Sequence, residues 1–259
     1  MNTFDTERLP VRLSGSRPWS SRRWCRYFRR QSRMLLTVPW ERGAGLSTAE
    51  RDLIAPSLQV FQQGEAQEGR HFYRCAEAYA VMNGDVEYAE AHRLFMNEEK
   101  RHGHDLARFL ALAGVPVLTE QSRLTQAFCW CGSRGRLEPT LLVILMSEII
   151  ALVYYAALRR ATGSVVLRRL CTQILRDERQ HVRFQAERLA IMRRGRPAVL
   201  LELTQALEVL LFVGACLACW CGHRRALLAG GLGFADFWRE AWRRYETARR
   251  QMDPRRYRS

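Results

Sequence analysis

The chain has 259 residues, 47% of them hydrophobic, which is enough for one large domain with a substantial core and extensions. Its formal net charge of +15 is typical of proteins that bind nucleic acid or an acidic membrane surface. However, Lys100 is the only lysine among 41 basic residues, a skew that indicates coding bias rather than selection for phosphate contacts. Since no nucleic-acid-binding motif accompanies the charge, nucleic acid is not expected as a partner.

The eight cysteines lie mostly in apolar or helical stretches, unlike the framework of a small disulfide-rich secreted domain. This usage favours a reducing cytoplasm. Two Cys-Trp-Cys-Gly elements begin at Cys129 and Cys219, and the second is followed by His223. Neither spacing matches a standard zinc motif, so buried thiols are the default interpretation, with a structural zinc or a redox pair as alternatives.

The basic N-terminal arm, residues 1–45, contains the stretch SRPWSSRRWCRYFRRQSRM, which lacks the continuous apolar core of a secretory signal. Three interpretations are left open: an ordered basic arm, an amphipathic segment that touches a membrane, or disordered chain. Near the other end, the apolar run VLLFVGACLACWC is shorter than the ~20 residues needed to span a bilayer. A buried or surface-docking helix is therefore expected there.

From Ser47 onward, apolar residues recur at helical spacing and no alternating strand pattern stands out. The first helix is predicted to begin at Ser47 or Thr48, either of which can cap it, and to run to about Asn83, where Gly84 ends it. Asp85 can cap a second helix that runs to Gly114. The chain is therefore expected to begin its folded part with a long helical hairpin.

A connector of about two dozen residues follows and is long enough for a crossover between hairpins. Two more long helices are predicted over residues 139–163 and 164–195, and two further ones over about 197–220 and 234–250. The fold class is therefore all-α.

The predicted domain organisation has three parts. The basic arm of residues 1–45 is followed by a four-helix bundle with a long crossover over residues 46–195 and by a C-terminal helical extension over residues 196–259.

The candidate functional residues include two Glu-x-x-His pairs: Glu99 with His102, and Glu178 with His181. At ~100° per residue, the two members of each pair lie about 60° apart around the helix. Both side chains of a pair can therefore point into the same interior.

The heights of four glutamates along the predicted bundle also match. Three of them lie 15 residues from the nearest predicted turn between helices: Glu99, Glu148 and Glu178. Glu68 lies one residue farther from its turn, and Glu65, about one turn higher on much the same face, is the alternative. Four carboxylates are therefore expected to converge at one level of the bundle.

Ionised carboxylates in an apolar interior are costly unless cations meet them. One Glu from each of two helices plus Glu-x-x-His from each of the other two is the di-metal arrangement of carboxylate four-helix bundles. The predicted ligands are Glu68, Glu99, His102, Glu148, Glu178 and His181. This oxygen-rich donor set favours two iron ions as cofactors, with manganese or a mixed pair as the alternative.

The segments NEEKRHGHDLARFLALAG and RDERQH resemble the metal-binding helices of the ferritin-like di-iron carboxylate superfamily, which includes rubrerythrins and soluble acyl-carrier-protein desaturases. The resemblance covers about residues 53–194 and implies a di-iron centre that reacts with oxygen or peroxide once reduced. It implies bridging or chelating roles for Glu99 and Glu178, one metal ligand from each histidine of the two pairs, and terminal roles for Glu68 and Glu148. No rubredoxin-like iron site accompanies the bundle, which counts against a complete rubrerythrin peroxidase.

Several neighbours of the predicted ligands have open roles. Tyr155, two turns beyond Glu148, is the candidate catalytic residue that lines an oxygen pocket or carries a radical, with core packing as the alternative. His71 forms a third Glu-x-x-His with Glu68, with an ordinary hydrogen-bonded histidine as the alternative. Glu98 and Asp177, each directly before a ligand glutamate, are candidates to orient the histidines or are solvated.

The sequence thus predicts a di-iron oxidase or oxygenase that uses O2 and an external electron donor to oxidise an unidentified apolar, small or acyl-type substrate. The alternative is an iron-binding, ferroxidase or peroxide-scavenging protein without an organic substrate. A third hypothesis is an interaction protein whose basic arm and apolar C-terminal helix dock on a membrane or a partner. A homodimer and peripheral membrane contact are left open.

Overall fold

The computed structural model describes residues 17–66, 69–120 and 136–257. Its α-helices, in chain order, are α1 (Ser21–Gln31), α2 (Thr48–Glu65), α3 (Arg70–Met82), α4 (Val86–Leu112), α5 (Leu137–Ala161), α6 (Val165–Met192), α7 (Ala198–Ala229) and α8 (Phe234–Met252). Short 3-10 turns lie at Trp40–Arg42 and Pro254–Tyr257. The described ranges contain no β-strand, so the predicted all-α class is confirmed.

Helix α5 is the centre of the molecule, because it contacts α3, α6, α7 and α8. Its apolar residues recur on every side, so the helix is stable only where neighbours surround it. On the other side of the bundle, α4 packs against α1, α2, α3 and α6. Helices α2, α4, α5 and α6 each contribute side chains to one shared interior, as expected for a four-helix bundle.

The prediction of one continuous first helix over residues 47–83 is wrong. Helix α2 ends at Glu65, and α3 begins at Arg70 after Gly69, whose φ of +59° lies in the left-handed region that favours glycine. A helical count of 1.5 Å per residue holds only along an unbroken helix, so heights counted back from Gly84 are not valid beyond this break.

The C-terminal extension also differs from the prediction. Helix α7 continues to Ala229 rather than ending near Trp220, and by length and composition both α5 and α7 could cross a membrane. In the most apolar stretch of α5, 78% of the residues are buried, as in a core helix. In that of α7, only 22% are buried. The predicted crossover, with Cys129 and Cys131, lies largely outside the described residues.

Helix α1 is an ordered part of the fold. Its apolar side chains Trp24, Cys25 and Phe28 are buried, and the Trp24 indole donates a hydrogen bond to Glu187 Oε2 at 3.2 Å. Phe28 packs edge-on against Phe184 of α6 at 5.3 Å between ring centroids. Since this apolar side faces the bundle, α1 presents mainly arginines to solvent.

A network of ion pairs joins the start of α5, the end of α6 and α7. Arg193, 3% exposed, donates from Nε to Glu138 Oε1 at 2.9 Å and also binds Glu208 of α7. Arg196 binds the same Glu138 carboxylate. Burial alone would raise the pKa of Glu138, but hydrogen bonds from Arg196 and Arg193 lower it, so the carboxylate is charged in the fold.

Gly230, at the end of α7, approaches α5 so closely that a Cβ atom there would overlap the backbone of Ala157. We expect Gly230→Ala to lower the free energy of unfolding by about 1–3 kcal/mol, because backbone atoms must shift to admit the methyl group. Gly222→Ala is the matched control, since no atom lies within 4 Å of that Cβ position and alanine favours helix more than glycine. Urea denaturation compares the two; equal stabilities would contradict the close approach.

Candidate metal centre

Four helices each bring acidic or imidazole side chains to the bundle interior. The contributing residues are Glu65 from α2, Glu99 and His102 from α4, Glu148 from α5, and Glu178 and His181 from α6. His102, Glu148, Glu178 and His181 are 4% exposed or less. The two Glu-x-x-His pairs therefore face each other across the middle of the bundle.

These side chains form two overlapping groups of potential metal ligands. The first group is Glu65, Glu99, His102 and Glu178, and the second is Glu99, Glu148, Glu178 and His181. Within each group, one ligand atom per residue lies within 4.8 Å of the others. Glu99 and Glu178 belong to both groups, so the cluster could hold metal at two adjacent positions that share two carboxylates.

The structure brings together five of the six predicted ligands and adds Glu65. Glu68 lies outside the described residues. Glu65, the alternative considered from the sequence, is the last residue of α2 and reaches His102, with 3.8 Å between Glu65 Oε2 and His102 Nδ1. The break between α2 and α3 therefore leaves Glu65 at the level of the α4 pair.

A glycine on α4 allows Glu65 to come this close. Gly103 is buried next to His102, and a Cβ atom there would lie 2.9 Å from the backbone N and Cα of Ala66 and 3.1 Å from the carbonyl carbon of Glu65. The end of α2 thus rests directly on the backbone of α4. The side-chain amide of Gln62 also reaches the Gly103 carbonyl at 3.3 Å.

Both imidazoles turn the same ring nitrogen towards the cluster. His181 Nδ1 lies 2.7 Å from Glu99 Oε1 and 3.2 Å from Glu178 Oε2, and His102 Nδ1 lies 3.3 Å from Glu178 Oε1. The ring centroids are 5.8 Å apart. Both Nδ1 atoms are therefore placed to be metal ligands.

The outward nitrogens meet carboxylates from the opposite helix. His102 Nε2 on α4 lies 3.1 Å from Asp177 Oδ2 on α6, and His181 Nε2 on α6 lies 2.9 Å from Glu98 Oε2 on α4. Carboxylates in this position fix the tautomer and orientation of a metal-bound histidine. The expectation that Glu98 and Asp177 orient the histidines agrees with these contacts.

Asp177 is itself held in place. Gln173 Nε2 donates to both of its oxygens at 2.9 and 2.8 Å, and Arg101 donates to Oδ2 at 2.5 Å. Burial would raise the pKa of Asp177, but the hydrogen bond from His102 lowers it. Asp177 therefore stays ionised as an acceptor for the imidazole.

Two further side chains orient Glu65 and Glu148. The Tyr155 hydroxyl donates to Glu65 Oε1 at 2.8 Å, and Gln185 Nε2 donates to Glu148 Oε1 at 3.2 Å. Tyr155 is fully buried, and burial, followed by the charge of Glu65, holds its pKa well above the usual value. The catalytic role predicted for Tyr155 stays a prediction, but the residue adjoins the centre.

His71, the candidate third histidine, belongs to neither group of potential ligands. Its Nε2 lies 3.4 Å from Cys75 Sγ.

The pKa values show how the cluster accommodates its charges. Burial, with the charge of Glu178, raises the pKa of Glu99 to about 8 and holds that of Glu148 well above its usual value. Burial would lower the pKa values of both histidines, but their carboxylate neighbours raise them. For Glu178, burial is outweighed by hydrogen bonds and histidine charge, which lower its pKa. Without metal, protons on the neighbouring groups thus offset the carboxylate charges.

The donor set fits metal ions on two further observations. His102 Nδ1 and Glu178 Oε1 are buried and lie 3.3 Å apart, yet neither atom makes a hydrogen bond of acceptable geometry within the described part of the chain. Buried polar atoms without a well-formed hydrogen bond are rare and costly, so a ligand for them is expected. In addition, two divalent cations would balance the four carboxylates of the cluster.

Comparison of the chain with protein-family models, with curated proteins and with solved structures finds no match. The helical bundle with its buried acidic and histidine cluster is compatible with a ferritin-like fold. The interpretation of the site therefore depends on its geometry.

We expect the affinity for metal to rise with pH, because Glu99, with a pKa of about 8, and the histidines and Glu148, with raised pKa values, must lose protons before they bind a cation. Below these pKa values protons compete with the metal, and above them the competition ends. Calorimetric titration with Mn²⁺ from about pH 6 to about pH 8 measures this dependence. An affinity that stays constant over the range would contradict the protonated metal-free cluster.

The approach at Gly103 gives a second prediction. Gly103→Ala must push the end of α2 away from α4, so we expect weaker metal binding at the Glu65 and His102 half and a loss of stability of about 1–3 kcal/mol. Gly64→Ala is the control, because its Cβ position meets no atom within 4 Å although it directly precedes Glu65. Metal content per chain and urea denaturation are measured for both variants. Unchanged metal content in Gly103→Ala would show that Glu65 contributes little.

Proposed function

We propose that the protein is a di-iron oxidase or oxygenase that activates O2 at the buried cluster and oxidises an apolar substrate. One observation carries the proposal: the two potential metal positions share Glu99 and Glu178, and each adds one further glutamate and one histidine. A single structural metal would need only one such group. Two adjacent positions with shared carboxylates support a dinuclear centre.

The donor chemistry supports iron, with manganese as the alternative. Four carboxylates and two imidazoles are hard or intermediate ligands, and no cysteine belongs to either group within the described residues. A reduced pair of iron ions held there would supply the electrons for the reduction of dioxygen. The chain itself holds the ligands, orients them and excludes water.

The ligand orientation depends on the surrounding hydrogen bonds. Asp177 and Glu98 keep the Nδ1 atoms of the two histidines turned inward, while Tyr155 and Gln185 fix one oxygen each of Glu65 and Glu148. Preorganised ligands of this kind need little rearrangement when the oxidation state of the centre changes. This supports a reactive rather than a purely structural metal site.

The surroundings of Glu148 support an apolar substrate. Leu145, Ile149 and Leu152 flank it on α5, and all three are 4% exposed or less. A dry, apolar interior protects a reactive centre from water and suits an acyl chain better than a polar substrate.

The first test is anaerobic reconstitution with ferrous iron. We expect about two irons per chain, as a dinuclear site requires, and a sharp loss in Glu99→Gln and in Glu178→Gln, because each variant removes a shared ligand from both positions. Glu87→Gln is the control, since Glu87 lies on α4 with its side chain 51% exposed. Little iron in the parent chain, or full iron in the two variants, would overturn the di-iron proposal.

The second measurement separates the oxidase from the alternative of iron uptake and oxidation. The reconstituted protein is supplied with a chemical reductant and saturated or acyl-type test substrates, and oxygen consumption is followed. If the amount of oxygen consumed greatly exceeds the amount of bound iron without further ferrous ion, the result supports the oxidase hypothesis. Consumption that resumes only with each addition of ferrous ion would favour a ferroxidase or storage protein.

A further inference from the structure

The outward face of α7 carries a row of exposed, uncharged residues, here called the α7 strip: Leu200, Leu203, Leu207, Leu210, Gly214, Leu217 and Cys221. The spacing alternates between three and four residues along the whole row. Exposed fractions of the five leucines range from 46% at Leu217 to 68% at Leu210. Such spacing is that of the seam between two paired helices.

The opposite face of α7 is already in use. Its buried residues, among them Phe212, Cys216 and Cys219, face the body of the protein, and the helix contacts α2, α5 and α8. No element within the described ranges covers the α7 strip. The leucines of two such strips would bury on the order of 1,000 Å² in total, the size at which specific interfaces begin.

The charges along α7 favour an uncharged partner over an anionic lipid surface. Between Ala198 and Gly222 the charged residues are Glu202 and Glu208, although the chain as a whole carries +15. Glu208 is buried and bound to Arg193, so Glu202 is the one exposed charge between Ala198 and Gly222. Attachment to anionic membranes depends on basic residues beside the apolar face, and this face has none before Arg224.

The shape of the strip is complementary to itself. Gly214 has no atom within 4 Å of its Cβ position, so it leaves a gap between the leucines on either side. If two copies of α7 cross antiparallel near residue 212, Leu210 of one copy lies opposite Gly214 of the other, and Leu207 lies opposite Leu217. A large side chain then meets the gap, as in knobs-into-holes packing, and a twofold axis repeats the contact.

We propose that a second copy of this chain covers the α7 strip, so that the protein is a homodimer joined through α7. The dimer axis then lies on the side of the bundle formed by α5, α7 and α8. The interface does not involve the metal ligands, so it forms whether or not the centre is loaded.

Analytical ultracentrifugation of the 259-residue chain over a dilution series tests the proposal. We expect a dimer, and we expect Leu207→Arg and Leu210→Arg each to raise its dissociation constant about a hundredfold or more, because each buries a charge in an apolar seam. Met82→Arg is the control, since Met82 is 84% exposed at the end of α3 and should leave the dimer unchanged. Circular dichroism and iron content show that the variants remain folded.

Cys221 supplies an independent readout because it is exposed at the end of the strip. Its alkylation, located by mass spectrometry, should be slow at concentrations where the dimer forms and fast in Leu207→Arg. A parent chain that is monomeric throughout, or a dimer that survives both arginine substitutions, overturns the proposal. Flotation of a monomeric parent with anionic vesicles, lost in Leu207→Arg, would overturn it in favour of a lipid surface.

Discussion

The burial of four carboxylates and two imidazoles at the middle of the bundle is the constraint on which the rest of the structure depends. Each ionised carboxylate loses its hydration there, a cost that hydrophobic packing does not offset locally. Without metal, the cluster keeps protons, as the raised pKa values of Glu99 and Glu148 show. Metal ions bound at the cluster would replace those protons.

The same short sequence pattern occurs once on α4 and once on α6, and the contacts between the two helices explain how it allows these groups to be buried. On each helix two acidic residues stand side by side, and the second enters the cluster. The first, Glu98 or Asp177, instead binds the outward nitrogen of the histidine on the other helix. Each helix thus supplies potential ligands and also orients the histidine of the other helix. Neither helix can rotate or slide without disturbing both histidines, which ties the register of the two helices to the site.

The helices around the bundle have contrasting surfaces. The apolar residues of α1 face inward, so its arginines form a basic surface, and a membrane-docking role would have to depend on charge alone. The outward face of α7 shows the reverse pattern, with exposed leucines and no basic residue over most of its length. The basic arm and the apolar helix therefore do not form one amphipathic surface. This separation weakens the hypothesis that both dock together on a membrane.

The sequence by itself determined the helical class, the two Glu-x-x-His pairs and the height of Glu148, because these depend on helical periodicity within unbroken helices. Only the tertiary structure decided that Glu65 enters the cluster: α2 stops at that residue, and Gly103 lets its end rest on α4. Counting residues from a distant turn cannot detect such a break. Likewise, α5 and α7 are similarly apolar in sequence, and only packing decides that α5 is surrounded whereas α7 keeps an open face. Burial depends on neighbours that lie far away in the chain.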